Sequence, residues 1–183
     1  MKLRVYLETT IPSYLTAWVS RDLVMAGHQQ TAREWWDTRR EDFELFVSQF
    51  VIDEAGAGDP DAARRRLEIL ENMPLLDPGD KVHALADELL KRVPLPPKAA
   101  TDALHIAIAT IHGMDFLLTW NCAHIANAAL RPSIDATDKS RFTSRKRKRR
   151  TGEIRRLRFR LVLLSAAASA LKRSVERMAM NRP

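Results

Sequence analysis

The spacing of apolar residues in the first two thirds of the chain predicts strands that alternate with helices. Residues 3–7 alternate apolar and polar side chains and are rich in β-branched and aromatic types, which favours a short strand. Residues 44–52 are mostly apolar, which is typical of a strand buried on both faces. Residues 116–120 repeat this pattern, and residues 74–76 are a weaker candidate. These runs predict a central sheet.

The segments between these runs have the three- and four-residue spacing of amphipathic helices. Thr10 is a candidate N-cap for a short helix with Pro12 in its first turn, and Thr101 is a candidate N-cap for the last helix, which Gly113 would end. The other predicted helices cover residues 21–40, 61–70 and 80–92. Strands that alternate with helices indicate a parallel sheet with helices on both faces, whose chemistry lies at the carboxyl ends of the strands.

Three acidic residues occupy positions that such a sheet would bring together. Glu8 and Glu54 each follow a predicted strand, and Asp102 lies in the first turn of the last helix. Side by side, their carboxylates would repel one another unless a divalent cation neutralised them. Taken singly, Asp102 can be a helix cap and the two glutamates can be surface carboxylates. As a set they predict a metal site.

Composition limits the class of protein. A chain of 183 residues with 45% apolar content fits one well-buried core, and its single cysteine excludes a disulfide framework or a cysteine-rich zinc module. No charged-then-apolar leader opens the chain, so a cytoplasmic protein is expected. The apolar run at residues 161–171 is about half of the ~20 residues that a membrane span needs. No membrane span is predicted.

The formal net charge of +7 conceals two opposite parts. Residues 1–138 hold 14 Lys and Arg against 21 Asp and Glu, whereas residues 139–183 hold 16 against 2. This break places the end of the compact domain near Ala136 and assigns residues 137–183 to an atypical basic tail, disordered or partly helical. The tail is either a nucleic-acid-binding arm or an aberrant extension, for instance an out-of-frame reading of the gene's end.

Four segments, in order, resemble the PIN domain, and among PIN domains the VapC-type toxins of bacterial toxin–antitoxin pairs. They are VYLETTIPSY at 5–14, VIDE at 51–54, ATDALHIA at 100–107 and LLTWNCAHIAN at 117–127. The resemblance covers about residues 3–131. It implies a three-layer α/β/α sandwich with a central parallel sheet, and RNA cleavage with Mg²⁺ or Mn²⁺. The resemblance also implies a homodimer that a cognate antitoxin holds inactive. The sequence differs from the family after Ile134, where it shows no pattern for the family's final strand.

The resemblance also assigns roles to four residues. Glu8 and Asp102 would bind the metal, Glu54 would complete the cluster directly or through a metal-bound water, and Asn121 would assist. Two positions differ from the family, which often has aspartate where this chain has Glu8 and Asn121. The formal charge of the cluster is therefore −3 instead of −4. Asn121 can offer a carbonyl oxygen or hold a water, but it cannot act as a general base.

Other polar residues near these motifs are open to two interpretations. Thr9 and Thr10 can bond the metal shell or a substrate phosphate, or simply cap a helix. His105 and His112 share a helix face with Asp102, but their seven-residue separation is not that of a zinc motif. We interpret them as solvated or core histidines. Basic residues that could guide RNA to the acidic body are Arg4, Lys98 and Arg131.

The sequence thus predicts a metal-dependent endoribonuclease of the toxin type. The alternative is a catalytically silent PIN-like module that binds nucleic acid, which the neutral Asn121 and the basic tail favour. A DNA-binding regulator is a third class, but the chain shows no helix-turn-helix or ribbon pattern. The RNA that is cut and the identity of the antitoxin are not encoded in any motif.

Overall fold

A computed structural model describes residues 2–93, 99–127, 130, 133, 134, 136 and 137, together with the backbone of residues 160–163. Several sequence predictions fall outside the described residues. They are Lys98, Arg131, and the basic tail except for Thr137 and residues 160–163. The domain boundary near residue 136 therefore stays a prediction. Within the described residues, no helix combines the length and apolarity that crossing a bilayer requires.

Among the described residues, five parallel strands form the sheet, in the order β3-β2-β1-β4-β5. β2 and then β3 extend the sheet from one side of β1, and β4 and then β5 extend it from the other side. The change of side at β1 leaves a crevice between the carboxyl ends of β1 and β4, where α/β proteins bind their ligands. The strands are β1 Leu3–Leu7, β2 Phe43–Ser48, β3 Leu75–Leu76, β4 Phe116–Thr119 and β5 Arg160–Leu163.

The helices form two groups by their mutual contacts, with α1 to α4 in one group and α5 and α6 in the other. With the sheet they make the three-layer α/β/α sandwich, which confirms the predicted fold class. The helices are α1 Thr10–Thr16, α2 Leu23–Arg39, α3 Gln49–Gly56, α4 Pro60–Leu70, α5 Asp80–Arg92 and α6 Ala100–Ile111.

The core lies on both faces of β1 and β4, which are the central strands. Leu7, Leu117 and Leu118 are fully buried, as are Ile106 and Ile108 of α6. Consecutive buried residues on one strand show that helices cover both faces of the sheet, as the near-continuous apolar runs predict. This packing holds the carboxyl ends of β1 and β4 rigidly next to each other.

The predicted strand at residues 44–52 is wrong in its second half. β2 ends at Ser48, and α3 begins at the next residue. Glu54 therefore lies on a helix near the carboxyl end of β2, instead of directly at the end of a strand. The error has a physical cause, because Val51 and Ala55 are buried on one helical face and a short apolar run fits a buried helix as well as a buried strand.

Two further expectations are corrected. The sequence indicated no strand after Ile134, but β5 pairs with β4 over four residues, from Phe116 opposite Arg160 to Thr119 opposite Leu163. Thr101 does not cap α6, since the N-cap residue is Ala99 and no side chain caps this end. Gly113 follows the helix with a φ of 64°, a conformation that glycine adopts readily, as predicted.

Asp59 caps α4, the helix that packs against α3. Its Oδ1 accepts a hydrogen bond of 2.9 Å from the backbone N–H of Ala62. Replacing Asp59 with alanine should lower the free energy of unfolding by about 0.5–2 kcal/mol, because a helix N–H loses its acceptor. Asp59→Asn keeps an acceptor and should stay close to wild type. Urea denaturation of the three proteins tests this, and equal losses in both variants would contradict the capping role.

Candidate functional site

Glu8 is the first residue after β1 and is buried, with 5% of its surface exposed. Its position follows from the sheet, since its backbone N–H donates to the carbonyl oxygen of Leu118 in β4. Its Oε2 accepts hydrogen bonds from the hydroxyls of Thr10 and Thr119 and from the backbone N–H of Thr10. Three donors on one oxygen fix the orientation of the carboxylate.

The two threonine hydroxyls also accept hydrogen bonds from the segment after β4. The N–H of Trp120 donates to Thr10 Oγ1, and the N–H of Asn121 donates to Thr119 Oγ1, both at 2.8 Å. Because each hydroxyl accepts from the backbone, its own hydrogen is directed at Glu8. Thr10 therefore contacts the acidic cluster. The prediction that it is the N-cap of α1 is wrong, because α1 begins at Thr10 and its N-cap is Thr9, with no side-chain cap.

Glu54 lies on α3, and its carboxylate contacts two residues from other elements. Its Oε2 accepts hydrogen bonds from the hydroxyl of Thr9 and from Nε2 of His105, the latter at 3.1 Å. Burial raises the pKa of Glu54, but its interactions with His105 and Thr9 together outweigh burial, so that its pKa lies below the ordinary value. Glu54 is therefore an ionised carboxylate at neutral pH.

Nitrogen and oxygen atoms of Glu8, Glu54 and His105 form a compact donor group. One ligand atom from each residue lies within 4.8 Å of the others. Two carboxylates and an imidazole, held by hydroxyl and amide donors, are a donor set that fits a divalent cation. The group lies at the carboxyl end of the sheet, where Glu8 directly follows β1 and α3, which carries Glu54, directly follows β2.

Asp102 stands outside this group of three, one helical turn before His105 on α6. Its Oδ1 accepts from the side-chain amide of Asn121, and its Oδ2 is bonded to Nδ1 of His124, each at 2.7 Å. Asn121 Oδ1 in turn accepts from the N–H of His124. Since Asn121 also bonds Thr119, a continuous chain of hydrogen bonds joins Asp102 to Glu8.

An aromatic cluster lies beside this network. The rings of Tyr14, His28 and Trp120 are nearly parallel, and the His28 and Trp120 centroids are 4.2 Å apart. Burial raises the pKa of Tyr14, and the nearby Cys122 and Glu8 raise it further. The cluster attaches α1 and α2 to the end of β4, next to Asn121.

The structure thus brings the predicted residues together in two linked parts. Glu8 and Glu54 share one part, and Asp102 and Asn121 share the other. Sequence analysis interpreted His105 only as a solvated or core histidine and did not single out His124, although each lies three residues after a predicted site residue. That spacing was the available signal.

Arg4, in contrast, lies at the opposite end of the sheet from Glu8. Four residues along β1 correspond to about 13 Å. Its guanidinium donates to the carbonyl oxygen of His112 and lies over the ring of Phe46. Arg4 therefore does not contribute to the acidic edge where substrate would bind.

Comparison with known proteins gives a family match and structural neighbours. Residues 16–121 match the family model described as the PIN domain. No curated protein sequence matches the chain. Mycobacterium tuberculosis VapC20, a sarcin-ricin loop cleaving toxin, is 17% identical over 68% of this chain and 95% of its own, with a TM-score of 0.53. VapBC2 from Rickettsia felis, bound to a DNA fragment from their promoter, is 15% identical over 68% and 92%, with a TM-score of 0.49.

Proposed function

Because the chain belongs to the PIN domain family, we propose that it is a metal-dependent endoribonuclease and the toxin of a toxin–antitoxin pair. The observation that supports this proposal is the convergence of the Glu8 and Glu54 carboxylates, with ligand atoms within 4.8 Å of each other, at the carboxyl end of a parallel sheet. The VapC20 fold likeness supports the toxin class. The substrate is RNA, and the reaction is hydrolysis of a phosphodiester bond.

The family resemblance assigns a role to each site residue. Glu8 and Asp102 would hold Mg²⁺ or Mn²⁺, although Asp102 lies outside the group of three ligand atoms. Glu54 would complete the cluster directly or through a metal-bound water. A bound divalent ion supplies an acidified water and neutralises charge that develops on the phosphate. Asn121 holds Asp102 through its amide, at 2.7 Å, and so keeps this carboxylate in place.

An antitoxin partner is supported by exposed apolar side chains at the junction of α1 and α2. Trp18 and Leu23 expose 84% and 87% of their surface, and Val19 and Val24 are exposed beside them. Clusters of exposed apolar residues on a folded domain mark protein-binding surfaces. We propose that the antitoxin covers this surface, and that the protein is a homodimer in the cytoplasm.

Metal removal tests the proposed activity. The purified protein should cleave single-stranded RNA in the presence of Mg²⁺ or Mn²⁺, lose cleavage in excess EDTA, and regain it when metal is added back, because the acidic cluster needs a cation to bind a phosphate. Gel analysis of end-labelled RNA measures the products. Cleavage that persists in EDTA would contradict the proposal.

A catalytically silent nucleic-acid-binding module is the second candidate. The neutral Asn121, where the family often has an acid, favours it, as does the basic tail. RNA that is bound in a filter assay but stays intact with either metal would favour this module over the nuclease.

A further inference from the structure

A chain of buried polar groups leads from the core to Glu54. Ser48 Oγ lies 2.7 Å from Tyr6 Oη, which lies 2.7 Å from His105 Nδ1, and His105 Nε2 contacts Glu54. Tyr6 and Ser48 have no exposed surface, and 1% of His105 is exposed. The sequence motifs gave no role to Tyr6 or Ser48.

We propose that His105 positions Glu54 for metal binding by donating its Nε2–H to the carboxylate, and that Tyr6 and Ser48 select this tautomer of His105. The proposal deepens the proposed function and rests on it for the role of Glu54. His105 is thus a positioning residue that acts through Glu54, not a metal ligand.

The tautomer follows from counting hydrogens along the chain. An ionised carboxylate can only accept a hydrogen bond, so the contact at 3.1 Å requires a hydrogen on His105 Nε2. In the neutral imidazole, Nδ1 must then accept, and Tyr6 is the group that can donate to it. Burial raises the pKa of Tyr6, so its hydroxyl keeps the hydrogen. Ser48 in turn donates to the hydroxyl oxygen of Tyr6. Each of the three hydrogen bonds, Ser48 to Tyr6, Tyr6 to His105 and His105 to Glu54, then has one donor and one acceptor.

Because these side chains are buried, the network destabilises the fold unless each polar group has a hydrogen-bond partner. Polar side chains in a core are destabilising when any of them lacks a partner, and a fully bonded network becomes rigid instead. The three residues come from β1, the end of β2, and α6. The network therefore holds the orientation of Glu54 relative to three elements of the sandwich. Outer partners of this kind typically change metal affinity about 10- to 100-fold.

Mn²⁺ binding to the full-length protein, measured by the electron paramagnetic resonance signal of free Mn²⁺, tests the positioning role. We expect His105→Leu to weaken affinity about 10- to 100-fold, and His105→Gln to stay within about threefold of wild type because its amide can donate to Glu54. Tyr6→Phe should fall between them. Tyr14→Phe is the matched control, since it removes the hydroxyl of the other of the two tyrosines, outside this network.

The tautomer of His105 can be measured directly in the wild-type protein, without metal or RNA. Nitrogen-15 NMR of labelled histidines should show a protonated Nε2 and an unprotonated Nδ1 for His105, and Tyr6→Phe should reduce this preference. A protonated Nδ1 in the metal-free wild type would overturn the proposal. So would direct coupling of a His105 nitrogen to bound Mn²⁺ in electron spin echo spectra.

The positioning role of His105 and the nuclease activity can fail independently of each other. If the wild type cleaves RNA with metal but His105→Leu binds Mn²⁺ as the wild type does, the positioning role alone is wrong. If the tautomer and the Mn²⁺ affinities are as expected but the wild type cleaves no RNA, the positioning role stands and the nuclease assignment is wrong.

Discussion

Replacing Asp102 with asparagine is expected to lower the rate of Mg²⁺-dependent RNA cleavage about 100-fold or more, which corresponds to about 3 kcal/mol. Asparagine has the shape of aspartate, and its carbonyl oxygen can still accept the hydrogen bond from Asn121. The substitution therefore removes a negative charge from the site with little change in packing. Initial rates of cleavage of a single-stranded RNA measure the effect.

The matched control is Asp53→Asn on α3. Asp53 is exposed, directly precedes Glu54, and bonds only its helix neighbour Gln49 among the described contacts. It loses the same charge without touching the site, so cleavage should stay within about twofold of wild type. Full activity in Asp102→Asn, with Asp53→Asn also active, would show that Asp102 is not a ligand and that the cluster works without it.

Replacing Leu118 with alanine should lower the free energy of unfolding by about 2–5 kcal/mol. Leu118 has no exposed surface and lies in β4, where it pairs with Leu7 of β1. Truncation leaves a cavity in the layer that supports the site, because the packed strands can close it only in part. Urea denaturation followed by circular dichroism measures the loss.

The same substitution at Leu75 is the control for Leu118. Leu75 lies on the short strand β3 and exposes 58% of its surface, so Leu75→Ala should change the free energy of unfolding by only about 0.5 kcal/mol. Similar losses at both positions would mean that β4 is not at the centre of the core. The m-value should be the same in both variants, which confirms that the unfolding transition is still two-state.

The sandwich was predictable because its strands are marked by apolar runs and its longer helices by regular spacing. β1 and α5 have the predicted bounds, Leu3–Leu7 and Asp80–Arg92. Polar residues at both ends of each element mark where its pattern of apolar residues begins and ends. General rules for parallel sheets then predicted that the carboxyl ends of the strands lie at one edge, where ligands bind.

Elements whose identity depends on tertiary contacts were not predictable. A continuous apolar run does not show where β2 becomes α3, since both segments are buried. β5 follows a long basic segment, so its pairing with β4 could not be inferred from a local pattern. Strand pairing over such a distance is decided by the edge that the rest of the sheet leaves open.

The candidate site was predictable in part for the same reason. The position of Glu8 follows from the end of β1, which the sequence pattern shows, whereas Glu54 lies on α3, whose first residue the apolar run does not show. The partners of Asp102 and the contact between His105 and Glu54 depend on how α6 is rotated against the sheet. The rotation of α6 is set by packing of its apolar residues against the strands. It cannot be predicted from the spacing of polar residues.

The two threonines beside Glu8 link its orientation mechanically to the segment after β4. Thr10 and Thr119 each hold a backbone N–H of that segment with one side of the hydroxyl and Glu8 with the other. A displacement of Trp120 or Asn121 would therefore turn the carboxylate with it. A molecule that presses on this segment from outside, without reaching the acids, could in this way control whether the site is set for catalysis.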